Sequence, residues 1–325
     1  MTHPQQPLPS GFSARSTAAD VIRGIDLTGK TAIVTGGYSG IGVETTRALI
    51  SAGAHVVVPA RNTEKARETL TGIDAELETI DLLDPASIDA FATRFLASGR
   101  PLHMLINSAG VMIPPLTRDA RGYEIQFSAN HFGHFQLTSR LWPALKAAQG
   151  ARVISVSSRG HRRADVDFDD WNYAHKAYDK YQAYGQSKTA NALFAVALDR
   201  RGEAHGIRAL SLHPGAILTP LSRNMMDEDM KPWGLTRNAD GSYNAADPSL
   251  FKTTEQGAAT SVWCATSPRL NAIGGVYCED CDIAVPAVDG DMTRGVAAYA
   301  IDPERAERLW ALSEQATGVG LARPL

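Results

Sequence analysis

The stretch "TAIVTGGYSGIGVETTRAL", residues 31–49, joins a short β-branched run to an amphipathic segment through a glycine-rich turn. The run at 31–35 is typical of a buried strand. Small and apolar residues recur at helical spacing from Ile41 to Ala52, and Gly53 is a suitable stop. A strand that feeds a crossover helix in this way is the repeating unit of a parallel α/β sheet.

The same alternation continues along the chain. The β-branched runs are "TAIVT" (31–35), "HVVV" (55–58), "ETIDL" (78–82), "MLIN" (104–107), "RVISVS" (152–157), "IRALSL" (207–212) and "GGVYC" (274–278). They predict one α/β domain, a Rossmann-type doubly wound parallel sheet of about seven strands with helices on both faces. Long helices are expected over 123–148, strained by Pro143, and over 184–201.

The segments at the ends and between elements suggest a simple organisation. Residues 1–25, rich in Pro, Gln and Ser at their start, are expected to form a loosely packed amino-terminal arm, and residues 26–325 the domain. Two insertions are longer than ordinary connections, at 159–183 and 220–252. They are expected to be substrate loops, and the second, rich in Met, Trp, Gly, Asn and Asp, to be a mobile lid.

Composition limits the kind of partner. The 325 residues are 44% hydrophobic and 21% charged with a net charge of -3, so no basic field favours nucleic acid or anionic lipid, and a small-molecule partner is expected. Three cysteines, Cys264, Cys278 and Cys281, are too few for a disulfide framework. With neither an export signal nor an apolar run of membrane-spanning length, the expected location is cytoplasmic.

The turn itself carries chemistry. Glycines at Gly36, Gly40 and Gly42 allow a tight turn and let the backbone approach a diphosphate at the start of the following helix. Three residues separate Gly36 from Gly40, where the usual dinucleotide fingerprint has one or two. The spacing still predicts a phosphate-binding turn.

A second pattern lies in "QAYGQSKTAN", residues 182–191. Tyr184 and Lys188 are four residues apart, so a helix presents both on one face. A free phenol, with a pKa of about 10, is a poor base, and a nearby ammonium favours the phenolate. The pair is therefore predicted to act as one proton-transfer device, in which Lys188 lowers the pKa of Tyr184.

The glycine spacing together with Tyr184-x-x-x-Lys188 resembles the short-chain dehydrogenase/reductase family. "NSAG" (107–110), "HPGAILT" (213–219) and "DL" (81–82) match further segments of that family in the same order, over roughly residues 27–290. Ser108 departs from the family's second asparagine. Within the family, the chain is most similar to retinol dehydrogenase-like enzymes and to the dehydrogenase half of the WW-domain-containing oxidoreductase.

The resemblance implies hydride transfer between a nicotinamide cofactor and a carbonyl or alcohol. Tyr184 would be the general acid/base, and Lys188 would also hold the nicotinamide ribose. Ser158 would orient the substrate oxygen, with Ser157 as the alternative, because alternation turns only one of the two into the cleft. Asn130 would hold a bend in its helix and a water that connects the lysine to solvent.

The resemblance also implies a set of cofactor contacts. They are Gly36, Tyr38, Ser39, Gly40, Ile41, Gly42, Arg61, Asn62, Asp81, Leu82, Asn107, Ala109, Gly110, Tyr184, Lys188, Pro214, Gly215, Ile217 and Thr219. Ala60 stands where NAD-selective members carry an acidic residue, and Arg61 follows it, so NADP is predicted, with NAD possible. Asn62 is a candidate second phosphate contact.

Metal chemistry is not expected. His131 and His134 are spaced like metal ligands, but no third ligand cluster accompanies them, so helix packing is the simpler interpretation. Cys278 and Cys281 form a CxxC that follows a strand, and a structural role is expected for it.

The sequence allows two interpretations for each of two surface segments. The cluster "RGHRRADVDFDD" directly after Ser158 is either a solvated loop or part of a substrate rim. Met225, Met226 and Trp233 either line an apolar substrate pocket or only hold the lid in place.

The predicted function is an NADP(H)-dependent oxidoreductase that acts on a carbonyl or a primary or secondary alcohol of a bulky apolar substrate. A homo-oligomer, dimer or tetramer, is expected from the resemblance, paired through the helices at 123–148 and 184–201. The alternatives are a catalytically silent dinucleotide-binding regulatory protein and a sugar-nucleotide epimerase.

Overall fold

The structure is a computed structural model that describes residues 4–238, 242–288, 291 and 293–321. Residues 1–3 of the predicted arm, 239–241 of the predicted lid, and 289, 290, 292 and 322–325 of the predicted domain lie outside the described residues.

The strands build one large sheet and one small hairpin. In chain order they are β1 (Thr31–Thr35), β2 (His55–Ala60), β3 (Glu76–Thr79), β4 (Met104–Asn107), β5 (Ala151–Val156), β6 (Ile207–His213), β7 (Leu235–Arg237), β8 (Tyr243–Ala245), β9 (Tyr277–Glu279) and β10 (Asp282–Ile283). Within the described residues, eight of them pair in the order β10-β9-β6-β5-β4-β1-β2-β3, and all neighbours are parallel except β9 and β10. β7 and β8 form the separate antiparallel hairpin.

Helices cover both faces of the large sheet. In chain order they are α1 (Ala18–Ile22), α2 (Ile41–Ser51), α3 (Thr63–Thr69), α4 (Pro85–Ala97), α5 (Ile125–Phe127), α6 (Gly133–Arg140), α7 (Trp142–Ala147), α8 (Lys180–Gly202), α9 (Asp227–Met230), α10 (Thr254–Thr266) and α11 (Pro303–Thr317). α1, α2 and α10 pack on one face, and α4 to α8 and α11 on the other.

Side-chain alternation on the strands explains the two layers. Ile33 of β1 points into the core beneath α4, α6 and α8, while its neighbours Ala32 and Val34 point into the core beneath α2 and α10. A strand buried on both faces reads as a continuous apolar run, which is why the sequence pattern identified it. The Rossmann-type doubly wound sheet and the single α/β domain are confirmed, with eight strands against about seven predicted.

The strands at the two edges of the large sheet differ from the predicted runs, and β9 covers Tyr277–Glu279 where 274–278 was predicted. The third strand ends at Thr79 rather than continuing to Leu82, because Asp81 turns the chain and its Oδ1 accepts a hydrogen bond from Leu83 N at 3.0 Å. At the other edge, β10 returns antiparallel to β9 through Asp280 and Cys281, both at positive φ. The sequence pattern did not predict β10, because a two-residue strand carries no periodicity.

The predicted helix over 123–148 is wrong in its continuity. α5 is followed by a π-helical segment, Ser128–Phe132, then by α6, and the chain breaks again at Leu141 before α7. Pro143 stands in the first turn of α7, where its missing N–H costs nothing, so the helix restarts there instead of passing through it. The predicted helix over 184–201 is present and begins earlier, at Lys180.

The amino-terminal segment is packed where a loose arm was predicted. Gln5 donates its side-chain amide to the carbonyls of Tyr277 and Ala284, both at 2.7 Å, and accepts from Tyr277 N at 2.9 Å. α1 is fixed by a capping box between Thr17 and Asp20, and its apolar face is buried against α10. The proline-rich composition therefore reflects irregular backbone, not loose packing.

The carboxy-terminal helix α11 covers the two helices that the sequence analysis expected to pair between subunits. Every residue of α8 from 183 to 199 is buried within the chain. Trp310 of α11 lies 4.9 Å from the ring of Phe135 on α6 and stacks on Phe194 of α8 at 6.1 Å. This face is thus occupied by the chain's own helix, and the predicted pairing through it does not fit the structure.

Among the described residues, every helix is too short or too polar to span a lipid bilayer.

Candidate active site

The candidate site lies at the carboxyl ends of β1, β4 and β5. β1 sits between β2 and β4, so the direction in which strands are added reverses there. In open α/β sheets this reversal leaves a crevice at the carboxyl edge in which ligands bind.

The glycine turn between β1 and α2 is closed tightly against β4. Gly36 has φ +68°, and a Cβ at this position would lie 3.0 Å from Ala109 Cα. A Cβ on Gly42 would lie 2.2 Å from the Gly36 carbonyl oxygen. Both positions therefore require glycine, the first for its conformation and its close neighbour and the second for the approach of α2 to the turn.

Other predicted cofactor residues meet at this turn. A Cβ on Gly40 would lie 3.1 Å from Thr219 Cβ, so the segment after β6 returns directly to the turn. Ile41 and Ile217 both border Gly257 of α10, where a Cβ would lie 2.8 Å from each. The structure thus brings the turn and the predicted "HPGAILT" segment together, although they are almost two hundred residues apart in sequence.

Tyr184, Lys188 and Ser158 also meet. α8 places the phenol and the ammonium on one face, with Lys188 Nζ 5.7 Å from the centre of the Tyr184 ring. A Cβ on Gly160 would lie 2.9 Å from Tyr184 Cε1 and 3.4 Å from Ser158 Oγ, so both side chains border this glycine, and the Ser158 hydroxyl accepts from Gly160 N at 3.0 Å. Tyr184 and Lys188 are 8% and 5% exposed, so both side chains are almost fully buried.

The two serines after β5 have different partners. Ser157 donates its hydroxyl to the carbonyl oxygen of Lys188 at 2.6 Å and is buried against α8. Ser158 faces the phenol instead. Strand alternation separates the two, and Ser158 is the one that borders the crevice.

Within the chain, the pKa of Tyr184 is raised, although Lys188 was expected to lower it. Burial raises the pKa of Tyr184 to about 12, and the hydrogen bond from Ser158 offsets this only in part. Burial lowers the pKa of Lys188 to about 8, and its ammonium donates to Val156 O at 2.9 Å rather than to the phenol. Desolvation outweighs the neighbouring charge here, so the phenol is held neutral.

Asn130 lies in the π-helical segment and holds the loop after β4. Its Oδ1 accepts from Val111 N at 2.8 Å, and its Nδ2 donates to Val111 O at 3.0 Å and to Ser187 Oγ at 2.9 Å. π-helical turns often mark functional positions, because the extra residue redirects side chains. The bend at Asn130 is present in this form.

The backbone oxygen of Asn130 has two side-chain partners. It accepts from His134 Nδ1 at 3.0 Å and from Asn191 Nδ2 at 2.7 Å. These two bonds tie the π-helical segment to α6 and α8.

His134 is the residue whose importance the sequence did not reveal. Its Nε2 lies 2.9 Å from Thr35 Oγ1, which in turn accepts from the amides of Ser108 and Ala109. Burial lowers the pKa of His134 to about 4, so the ring is neutral. The ring connects the ends of β1 and β4 to Asn130. In the sequence, the only sign of this role was that His134 stands four residues after Asn130. No group of three metal-binding side chains occurs among the described residues.

The segment after β4 completes this part of the site. A Cβ on Gly110 would lie 2.9 Å from Asn130 Oδ1 and 3.8 Å from Lys188 Nζ, so the loop passes directly over both. Asn107 is buried, donates to Thr138 Oγ1 at 3.2 Å and leaves its Oδ1 without a partner among the described residues.

The remaining predicted contacts follow β2 and β3 or lie within the turn itself. Arg61 is exposed after β2, and Asn62 Oδ1 caps α3 by accepting from Lys65 N at 2.9 Å. Asp81 turns the chain after β3, and Leu82 packs against Gly133 of α6. Tyr38 packs in the apolar core on the α2 face.

Three further predicted contacts lie in the glycine turn and in the segment after β6. Ser39 lies within the glycine turn, and its amide donates to the Gly36 carbonyl at 3.1 Å. Pro214 and Gly215 follow β6, and Gly215, at φ +108°, lies against the side chain of Lys252.

Comparison with known proteins agrees with this geometry. The sequence profile described as short chain dehydrogenase matches residues 30–230. A "Probable oxidoreductase" of Streptomyces lividans is 44% identical over 294 residues, 88% of this chain and 97% of that protein. Retinol dehydrogenase 12 of Mus musculus is 36% identical over 302 residues, 91% of this chain and 88% of that protein.

A crystal structure of an uncharacterised protein from Mycobacterium paratuberculosis superposes with a TM-score of 0.71 at 29% identity, over 95% of this chain and 100% of that one. The profile match over more than half of the chain and the identity to near full-length relatives lead to the same result. The chain belongs to the short-chain dehydrogenase family of oxidoreductases.

Proposed function

We propose that the protein transfers a hydride between NADP(H) and a carbonyl or a primary or secondary alcohol on a bulky apolar substrate. Tyr184 is the general acid/base of this reaction, Ser158 orients the substrate oxygen, and Lys188 and Asn130 support them. The observation that carries the proposal is the buried Tyr184 side chain, which borders Gly160 together with the Ser158 hydroxyl and lies on the same helix face as Lys188.

The residues at the carboxyl edge fit a dinucleotide. Gly36 and Gly40 bring the backbone of the turn close to Ala109 and to Thr219 just before α2 begins. Gly40 at the N-cap of α2 makes no side-chain cap, so a diphosphate can approach the helix start. Thr219 would hold the cofactor from the opposite side, and Lys188 would hold its nicotinamide ribose.

The chain's own residues account for proton transfer. When bound, the nicotinamide supplies the hydride for reduction or accepts it for oxidation. Ser158 accepts from Gly160 N, which leaves its hydroxyl proton for the oxygen of the substrate, where negative charge develops during reduction. Tyr184 donates its phenolic proton to that oxygen, and in the reverse direction accepts it.

The protonation state of Tyr184 favours reduction. Burial raises the pKa of the phenol to about 12, so the chain alone keeps it in the form that donates a proton. Lys188, whose pKa burial lowers to about 8, still carries its charge at neutral pH and stabilises the phenolate once the proton has left.

The choice of NADP rests on the end of β2. Ala60 is buried and offers no carboxylate to a ribose hydroxyl, while the exposed Arg61 makes no hydrogen bond or ion pair with any described residue. A free guanidinium at this place can pair with the additional phosphate of NADP. Asn62 uses its Oδ1 to cap α3, which leaves its amide nitrogen to serve as the second contact.

The substrate class rests on the lid. Met226 and Trp233 are 54% and 40% exposed, although large apolar side chains are usually buried. The lid is tied to the loop after β4, because Asn224 Nδ2 donates to Met112 O at 3.2 Å. Exposed apolar side chains on a segment anchored beside the site support a bulky apolar substrate.

Location and assembly are further parts of the proposal. We assign the protein to the cytoplasm, where the three buried free thiols of Cys264, Cys278 and Cys281 remain reduced. A homo-oligomer would have to form through a surface other than the α6 and α8 face, since α11 covers that face.

The experiment is an activity survey with purified protein. Aldehydes and ketones of increasing apolar size are offered with NADPH or NADH, and the corresponding alcohols with the oxidised cofactors, while cofactor absorbance is followed. We expect NADPH-dependent reduction that is faster for the larger apolar carbonyls. Cofactor binding without turnover across the whole survey would instead favour a regulatory dinucleotide-binding protein.

A further inference from the structure

His161 lies in the short turn Arg159–Arg163 that separates the candidate catalytic serine from the substrate loop. It follows Ser158 by three residues and is completely buried. The sequence analysis grouped it with a charged loop and gave it no role. All of its polar atoms are hydrogen-bonded, and two of its bonds reach Ser158 itself.

The partners of the imidazole define its tautomer. Nδ1 lies 2.7 Å from Ser158 O, which can only accept, so Nδ1 carries the proton. Nε2 lies 3.1 Å from Ala297 N, which can only donate, so Nε2 carries none. A second proton would face the amide of Ala297. The ring is therefore held neutral, in agreement with a pKa that burial lowers to about 4.

These bonds bear directly on the Ser158 hydroxyl. The Ser158 carbonyl receives both the backbone N–H of His161, at 3.0 Å, and its ring N–H. With the Ser158 carbonyl held in this way, the turn places Gly160 N 3.0 Å from Ser158 Oγ, and that bond occupies one acceptor position of the hydroxyl. The turn has little freedom, because a Cβ on Gly160 would lie 2.9 Å from Tyr184 Cε1.

His161 also joins the turn to α8 and to the carboxy-terminal segment. Its carbonyl accepts from Thr189 Oγ1, the residue after Lys188, at 3.1 Å, and from Tyr299 OH at 2.8 Å. Tyr277 OH lies 3.2 Å from Nδ1. One buried residue thus ties the ends of β5, β9 and the segment before α11 to the helix that carries Tyr184.

We propose that His161, as the neutral Nδ1–H tautomer, is a positioning residue that sets the orientation of the Ser158 hydroxyl toward the substrate oxygen. The inference rests on the proposed function of Ser158 and Tyr184 and adds a residue that acts through Ser158 without touching substrate. Residues that orient a catalytic group from behind commonly change activity by about 10- to 100-fold when replaced.

Two variants of similar size test the hydrogen bonds at Nδ1 and Nε2 separately. His161→Asn retains an amide N–H in the region of Nδ1 and can still donate to Ser158 O. His161→Gln reaches the region of Nε2, where its side-chain oxygen can accept from Ala297 N. Each loses one of the two bonds and a similar amount of packing, so their comparison isolates the bond to Ser158.

The kinetic test measures kcat, KM and the NADPH dissociation constant for both variants. We expect kcat to fall by about 10- to 100-fold in His161→Gln and markedly less in His161→Asn, with NADPH affinity within about twofold of wild type. His103→Asn, at the amino end of β4 where His103 Nδ1 accepts from Thr31 N, is the control and should leave kcat unchanged. An equal loss in both variants, or the greater loss in Asn, overturns the proposal.

A second readout does not depend on activity. Nitrogen NMR of histidine-labelled protein, with the His161 signals identified by their loss in His161→Gln, should show a protonated Nδ1, a bare Nε2 and no titration between about pH 6 and 8. A proton on Nε2, or a titrating ring, contradicts the proposed tautomer. If wild type turns over no carbonyl, the proposed function fails, while this measurement still decides the state of His161.

Discussion

At the scale of single residues, burial and charge act on Tyr184 in opposite directions. The sequence suggested that Lys188 dominates, yet the phenol is buried and the ammonium is directed to Val156 O, so the pKa of Tyr184 rises to about 12. In the proposed mechanism the pair therefore acts as a proton donor supported by a nearby charge. It does not rest as a phenolate.

This arrangement predicts different pH profiles for the two directions. Reduction uses the neutral phenol, which persists up to its pKa of about 12, so kcat/KM for reduction should stay level from about pH 6 to 7. It should then fall as Lys188, with a pKa of about 8, loses its charge. Oxidation needs the phenolate, whose share rises about tenfold per pH unit below the pKa, so oxidation should accelerate with pH. An oxidation rate that is level between pH 6 and 8 would contradict this account.

Arg61 provides a second residue-scale prediction. Arg61→Ala should raise the NADPH dissociation constant by about 10- to 100-fold, because a charge-assisted bond to phosphate is lost, and should change NADH binding little. Arg67→Ala is the matched control, an exposed arginine in the last turn of α3. The two cofactors are compared by titration with each variant. Equal weakening of NADPH binding and NADH binding would show that Arg61 does not contact the additional phosphate.

At the scale of elements, the glycine turn combines two constraints that can be separated. Gly36 and Gly99 share the same φ of +68°, but a Cβ on Gly36 would meet Ala109 at 3.0 Å, whereas a Cβ on Gly99 would have no atom within 4 Å. Alanine at either position carries a similar backbone strain of about 1 kcal/mol. Only the substitution at Gly36 should disturb the approach of the turn to β4.

We therefore expect Gly36→Ala to lower thermal stability more than Gly99→Ala does, and Gly36→Ala alone to weaken NADPH binding by more than about tenfold. Thermal unfolding and NADPH titration of both variants provide the comparison. Normal NADPH affinity in Gly36→Ala would remove the turn from the proposed cofactor site.

The elements also show what local sequence can predict. β1, the turn and α2 were predictable because their signals lie within nineteen consecutive residues, 31–49. The break of the predicted 123–148 helix was not, because the π-helical segment at Asn130 depends on its bonds to Val111 and Ser187, which come from other parts of the chain. Pro143 gave only the approximate place of the second break.

At the scale of the whole molecule, α11 decides which surfaces remain available. Trp310 packs between Phe135 and Phe194, and Arg201 lies over its ring at 4.1 Å. His131 Nε2, on the same face, lies 2.7 Å from Ser313 Oγ. This face is therefore part of the core of a single chain.

Trp310→Ala should lower the free energy of unfolding by about 3–5 kcal/mol, the usual cost of removing a buried tryptophan, and leave the oligomeric state unchanged. Denaturant unfolding and sedimentation velocity provide the two measurements. Dissociation of an oligomer at unchanged stability of the subunit would mean that this face is an interface after all.

The contacts that span the molecule were the least predictable. The characteristic spacings of Tyr184 with Lys188 and of the glycines in the turn are visible in the sequence, so the roles of these residues could be proposed from it. The partners of His161 and His134 could not, because Ala297 lies 136 residues from His161 and Thr35 lies 99 residues from His134. The packing of the amino-terminal segment through Gln5 could not be predicted for the same reason, because its partner Tyr277 lies 272 residues away.

The most direct test of proton transfer by Tyr184 is the rate of carbonyl reduction by Tyr184→Phe, measured beside its NADPH dissociation constant. The substitution removes one oxygen and keeps the ring, so we expect kcat to fall by about 100- to 10,000-fold with NADPH affinity within about twofold of wild type. Reduction by Tyr184→Phe at a rate close to that of wild type would contradict the account.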